Sequence, residues 1–144
     1  MTEPASPDLD LVAIATKMGR GTLMERMQIE FLPSTPDRLV ARMPVEGNIQ
    51  PYGLLHGGAS VVLAETLGSF GSALHAGLDR VAVGIEIKAT HHSAARSGWV
   101  TGVCTPISLG RTLATWQTTV TDENDRLICT SRLTCLLRDK PPAS

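Results

Sequence analysis

The sequence predicts an α+β domain in which an antiparallel sheet wraps one long, buried helix. Three observations carry this prediction. The stretch from His56 to Ala76 is dominated by small and apolar residues, and Glu65 is its single formal charge. A hairpin-like pattern precedes it. Four strand-like segments follow in succession, separated by turn signals at Ser97-Gly98, Leu109-Gly110 and Asp122 to Asp125. A helix that is apolar around most of its circumference needs cover on several sides, and a curved sheet supplies it.

In chain order, residues 1–7 read as a disordered lead-in to one domain spanning 1–144. Asp8 or Asp10 is placed to cap a short helix with Leu11, Ile14, Ala15 and Met18 on one face, ended by Gly19. Thr22 to Leu32 alternates Leu23, Met27, Ile29 and Phe31 with mostly polar neighbours and reads as a strand, although Glu25 breaks the pattern. Pro33 to Asp37 is a turn and Arg38 to Val45 the returning strand. Glu46 to Leu55, with Gly47, Asn48, Pro51 and Gly53, reads as an irregular loop. The long helix runs from Gly57 to Ala76. The later strands are Arg80 to Thr90, Trp99 to Ile107, Thr112 to Thr121 and Leu127 to Arg138, read as a four-stranded meander.

Composition narrows the function. The chain has 144 residues, a formal net charge of -1 and 3% aromatic residues. There is no electrostatic case for nucleic acid or an anionic membrane, and few rings on which bases could stack. Glu65 and several glycines interrupt the one segment that could otherwise be read as crossing a bilayer. The N-terminus shows no basic region followed by an apolar run. Cys104, Cys129 and Cys135 are odd in number and lack a C-x-x-C spacing, which fits buried thiols in a cytoplasmic protein.

Glu65 is the leading candidate for chemistry. A carboxylate removed from water without partners costs several kcal/mol or takes up a proton, so its place in an apolar helix asks for a reason. A surface position or a structural ion pair with an arginine is the competing reading. Gly68, Ser69 and Ser72 share its face at i+3, i+4 and i+7 and suggest open space beside the carboxylate. His56-Gly57-Gly58 stands at the helix entrance, where free backbone N–H groups attract developing negative charge and glycine admits close approach. Gly57 and Glu65 are separated by roughly 12 Å of helical rise. They can serve one reaction only if the substrate lies along the helix or if one of them comes from a second chain. His91 and His92 are adjacent on a strand and point to opposite faces, so they do not form a metal site. Arg96, Arg111 and Arg138 near strand ends read as solvated charge or as a phosphate-binding cluster.

Gln50-Pro51-Tyr52-Gly53-Leu54-Leu55-His56-Gly57-Gly58-Ala59, followed by Ala64-Glu65, resembles the hotdog-fold acyl-CoA thioesterases. Within that family it is most similar to the branch containing the Arthrobacter-type 4-hydroxybenzoyl-CoA, phenylacetate-pathway and 1,4-dihydroxy-2-naphthoyl-CoA enzymes. The likeness covers Gln28 to Leu137 and includes Val103-Cys104-Thr105-Pro106 and Ser131-Arg132-Leu133-Thr134. It implies a sheet-wrapped helix, dimers that pair into homotetramers, and active sites at subunit interfaces. By the same resemblance, Glu65 is the nucleophile or general base, the Gly57 N–H polarises the thioester carbonyl, Gln50 and His56 orient thioester or water, and Ser69 assists. Substrate contacts are expected from Ser72, His91, Arg96, Gly110, Arg111 and Thr112. Ser93 stands where relatives in the branch can carry an arginine for the nucleotide phosphates, a role that Arg96 or Arg111 can take. No cofactor is implied, because coenzyme A is part of the substrate. The expected activity is hydrolysis of an aryl or other bulky acyl-CoA. A 3-hydroxyacyl-thioester dehydratase and a non-catalytic acyl-CoA-binding module are the alternatives.

Overall fold

The computed structural model describes residues 9–143, so the lead-in expected over 1–7 and the candidate cap Asp8 lie outside the described residues. Helix α1, Leu11–Gly19, is capped by Asp10, whose carboxylate accepts from the Ala13 N–H at 3.0 Å. It buries Leu11 and Ala15, while Met18, expected on the same face, is largely exposed.

The first part of the strand expected from Thr22 is instead a short helical turn, α2, Leu23–Arg26. Local hydrogen bonding explains the difference. Gly21 turns the chain at φ +73°, the Thr22 hydroxyl donates to the Gly19 carbonyl at 2.6 Å, and Glu25 folds back to accept from the Gly21 N–H. Glu25 breaks the alternation because it belongs to this turn. Strand β1, Glu30–Thr35, begins only after Gln28 has passed through φ +58° and continues beyond Pro33, which delays the turn to Pro36-Asp37. Strand β2, Arg38–Pro44, pairs antiparallel with it, and Arg42 meets Glu30 at 2.8 Å.

Helix α3 spans Gly57–Ala76, as the sequence predicts. Gly77 ends it at φ +83°, where a side chain would be strained. Strands β3, Arg80–His91, β4, Trp99–Leu109, β5, Leu113–Asp122, and β6, Leu127–Asp139, complete a six-stranded antiparallel sheet in the order β1-β2-β4-β5-β6-β3. The expected four-stranded meander is therefore corrected: only β4, β5 and β6 form one. β3 crosses to the far edge and pairs with β6, so that the curled sheet reaches around α3 from both sides.

The inward faces of β2, β4, β5 and β6 close on α3. Leu63 and Leu67 of α3 press on Gly102 of β4, where a Cβ would lie 2.9 Å from Leu67 Cδ1. Trp116, Leu39, Met43 and Val100 are shut off from solvent around them. Each such side chain contributes about 1.5–3 kcal/mol by burial. The open side of α3 is covered by Phe31 of β1, packed edge-to-face on Phe70, and by α1 and α2. β3 has no neighbour along its outer edge among the described residues, and its Ile85 is 57% exposed.

Candidate active site

Glu65 lies on the side of α3 that turns from the sheet toward this open flank. Its side chain is half-buried, and no ion pair among the described residues involves it. This disfavours the structural ion pair considered from sequence. One carboxylate oxygen lies against β3 at Gly84, where a Cβ would sit 2.8 Å from Oε1. Glu65 also lines a cavity of about 420 Å³ between α3, α1, α2 and β1. Met18, Met24, Phe31, Val62 and Phe70 make most of its wall apolar, with Thr66 and Ser69 beside Glu65 as polar members. The volume falls in the range of small-molecule pockets.

The helix entrance forms a second cluster. His56 caps α3 with its own ring: Nδ1 accepts from the Gly58 N–H at 2.8 Å. The Gly57 N–H is not used by that cap. His91, at the end of β3, sets its imidazole over Gly57, where a Cβ would lie 2.9 Å from Nε2. His92 faces away, with Nε2 2.8 Å from the Thr130 hydroxyl. The loop before the helix is held by its backbone: the Leu55 N–H donates to Ala95 at 2.8 Å and the His56 N–H to Asn48 at 2.9 Å. Gln50, half-buried in this loop, accepts from the Tyr52 N–H. Arg96 is exposed, one residue beyond Ala95, at this same end.

Gly110, Arg111 and Thr112 form the β4–β5 turn at the other end of α3, where His75 Nε2 lies 2.8 Å from the Gly110 carbonyl. By helical rise, His75 is roughly 27 Å from Gly57. Within one chain, then, the expected residues form three groups along α3. Gln50, His56, Gly57, His91 and Arg96 gather at its entrance. Glu65 and Ser69 sit midway. Gly110, Arg111 and Thr112 mark its end.

Two expectations are corrected. Ser72 is fully buried and accepts a 2.8 Å hydrogen bond from Trp116 Nε1, so it belongs to the core and not to a substrate contact. Gly68 leaves no room beside Glu65, because it faces Leu133, whose Cδ2 would lie 2.7 Å from a Cβ there. The stripe winds from the open flank into the core. Two residues were missed. Gly84 is the close neighbour of the carboxylate, and a glycine inside a strand pattern was the available signal. Asn48 donates through Nδ2 to the Met27 and Pro44 carbonyls at 3.0 and 2.9 Å and so anchors the loop; its Gly-Asn context signalled only a turn.

The buried thiols are poor nucleophiles in this setting. Burial pushes Cys104 up to about 11 and raises Cys129 as well. What stands out instead is Glu65, a half-buried carboxylate without an ion-pair partner among the described residues, beside an apolar cavity and against the edge strand β3. The thioesterase superfamily matches residues 52–129, the segment that carries this helix and its entrance. The chain belongs to the thioesterase superfamily.

A proofreading thioesterase, EntH, from Cronobacter turicensis is 49% identical to this thioesterase over 114 residues, 78% of this chain and 83% of that protein. The 1,4-dihydroxy-2-naphthoyl-CoA hydrolase of Escherichia coli is 48% identical over 118 residues, 81% of this chain and 87% of that protein. A crystal structure of a thioesterase from Haemophilus influenzae matches with a TM-score of 0.86 at 37% identity, covering 89% of this chain and 90% of that one. The fold is the hotdog fold and the reaction class is thioester hydrolysis, which sets aside the dehydratase and the non-catalytic binding module. No helix among the described residues is long and apolar enough to cross a membrane.

Proposed function

We propose that this thioesterase hydrolyses acyl-CoA thioesters with an aryl or other bulky acyl group, using Glu65 as its reactive carboxylate. The observation that carries the reading is the unpaired Glu65 carboxylate on the wall of an apolar cavity large enough for such a group. The name of the Escherichia coli relative, a hydrolase of a naphthoyl-CoA, supports the substrate class.

In this reading the acyl group enters the cavity and its thioester carbonyl lies between Glu65 and a Gly57 N–H. Glu65 takes a proton from water as the resulting hydroxide attacks the carbonyl carbon, and the Gly57 N–H stabilises the oxyanion. Collapse breaks the carbon–sulfur bond and the departing coenzyme A thiolate takes up the proton. Direct attack by Glu65 would instead give an anhydride that water then opens; both routes yield the free acid and coenzyme A. Gln50 and His56 orient the thioester or water, Ser69 supports the carboxylate, and His91 packs beside the oxyanion site. Arg96 and the Gly110-Arg111-Thr112 turn serve the nucleotide end.

In this reading a second chain, and not a substrate stretched along the helix, bridges the roughly 12 Å between Gly57 and Glu65 and completes each site. The unpaired edge of β3, adjacent to Glu65 through Gly84, is the surface through which two copies would join, with pairs of dimers forming the tetramer. The test is thiol release from benzoyl-, naphthoyl- and medium-chain acyl-CoAs by wild-type protein and by Glu65→Ala. Loss of about 10³-fold or more in kcat is expected. Wild-type rates in Glu65→Ala would refute the assignment.

A further inference from the structure

We propose that the Gly84 bulge of β3 positions the Glu65 carboxylate and, by the same irregularity, turns a competing carboxylate out of the site. The inference rests on the reading of Glu65 as the reactive group, and its evidence is the register of β3 on β6.

Gly84 pairs with Cys135, which is fully buried and faces α3, so position 84 points inward. Regular alternation would then point Glu86 inward too. The register slips instead: the next pair is Glu86 with Thr134, leaving Ile85 as the extra residue. Glu86 is exposed, and Ile87 opposite the buried Leu133 takes the inward place. The slip therefore keeps a second carboxylate off the face where Glu65 sits. Two carboxylates sharing that space would compete for one proton. The same change of phase brings His91 inward, over Gly57.

Gly84 supplies the other half of the device. It is an inward position of β3 without a side chain, and Glu65 Oε1 occupies the room, 2.8 Å from where a Cβ would be. That distance is too short for a carbon–oxygen contact, so an alanine there must displace the carboxylate or the strand. Gly84 brings no group of its own to the reaction and acts only through Glu65, so it is a positioning residue.

The experiment is a cycle of Gly84→Ala and Glu65→Ala, each alone and combined, read by steady-state kinetics and by thermal unfolding. Gly84→Ala is expected to lower kcat by about 10²-fold, the scale of an ångström's misplacement, with KM changed by less than about threefold. Whatever melting temperature it costs should be lost only while Glu65 is present and be restored once Glu65 is alanine. Equal destabilisation in both backgrounds overturns the contact, even if Gly84→Ala is too unstable for kinetics. A folded Gly84→Ala enzyme with wild-type kcat, beside an inactive Glu65→Ala, overturns the positioning role and leaves the role of Glu65 intact. Full activity in Glu65→Ala overturns the underlying reading of Glu65, and with it the positioning role, while the unfolding cycle still reports the contact.

Discussion

The indole N–H of Trp116 donates to the Ser72 hydroxyl at 2.8 Å, with both residues cut off from solvent. This bond crosses from β5 to α3 and satisfies the one polar atom of the largest side chain in the core. Ser72→Ala leaves the N–H buried and unpaired, which costs about 1–3 kcal/mol. Chemical denaturation is expected to show that loss, while kcat/KM stays within about twofold of wild type. A selective rise in KM would return Ser72 to the substrate site.

Gly57 lies under the imidazole of His91, with 2.9 Å between Nε2 and a hypothetical Cβ. Gly57→Ala keeps the backbone N–H but pushes the ring aside and narrows access to the helix entrance. A fall of about tenfold to 10²-fold in kcat/KM is expected, measured with a good acyl-CoA substrate. Combining it with His91→Ala should give less than the product of the two losses, because the clash is shared.

Ala73 lines the cavity one helical turn beyond Ser69. Ala73→Trp adds a large ring to that wall without touching Glu65. The ratio of kcat/KM for naphthoyl-CoA over a short-chain acyl-CoA is expected to drop by about tenfold or more. An unchanged ratio would move the acyl group elsewhere.

Cys104 is held protonated by burial, with its pKa pushed up to about 11. Cys129 shifts the same way. Because the unfolded thiols ionise at lower pH, the folded state retains protons that the unfolded state loses. The stabilisation from these thiols is complete below their unfolded values and falls as pH rises toward about 11. Titration with an aromatic disulfide at pH 8 is expected to modify none of the three buried thiols in the native protein and all three after denaturation. Rapid modification of the native protein would contradict the burial.

The central helix was legible in the sequence because two different signals coincide on it. Gly57 and Gly77 bracket the segment, and its interior lacks charge except at Glu65. The bounds of β2 to β6 were legible to within two residues, from turn residues at their ends, whereas those of β1 were not. Pairing was not: alternation shows that Arg80–His91 is a strand, but nothing in a strand names its neighbour, so β3 read as the first strand of a meander. α2 was hidden because Leu23, Met27, Ile29 and Phe31 fit a two-residue period, while the bonds that override it involve Gly19, Gly21, Thr22 and Glu25. At the site, Glu65 stood out by its charge. Gly84 has no side chain with which to stand out, and Ser72, seven residues after Glu65 on the same helix face, turns into the core.

The placement of β3 also orders events during synthesis. Among the described residues β3 pairs only with β6, which lies several dozen residues further along the chain. A nascent chain that ends before Leu127 has no ladder on which to hang β3, so it cannot yet present the hydrogen-bonding border through which a second copy is proposed to join. Closing such a long loop is also slow. On the proposed assembly, joining of a second copy through that border waits until β6 is in place.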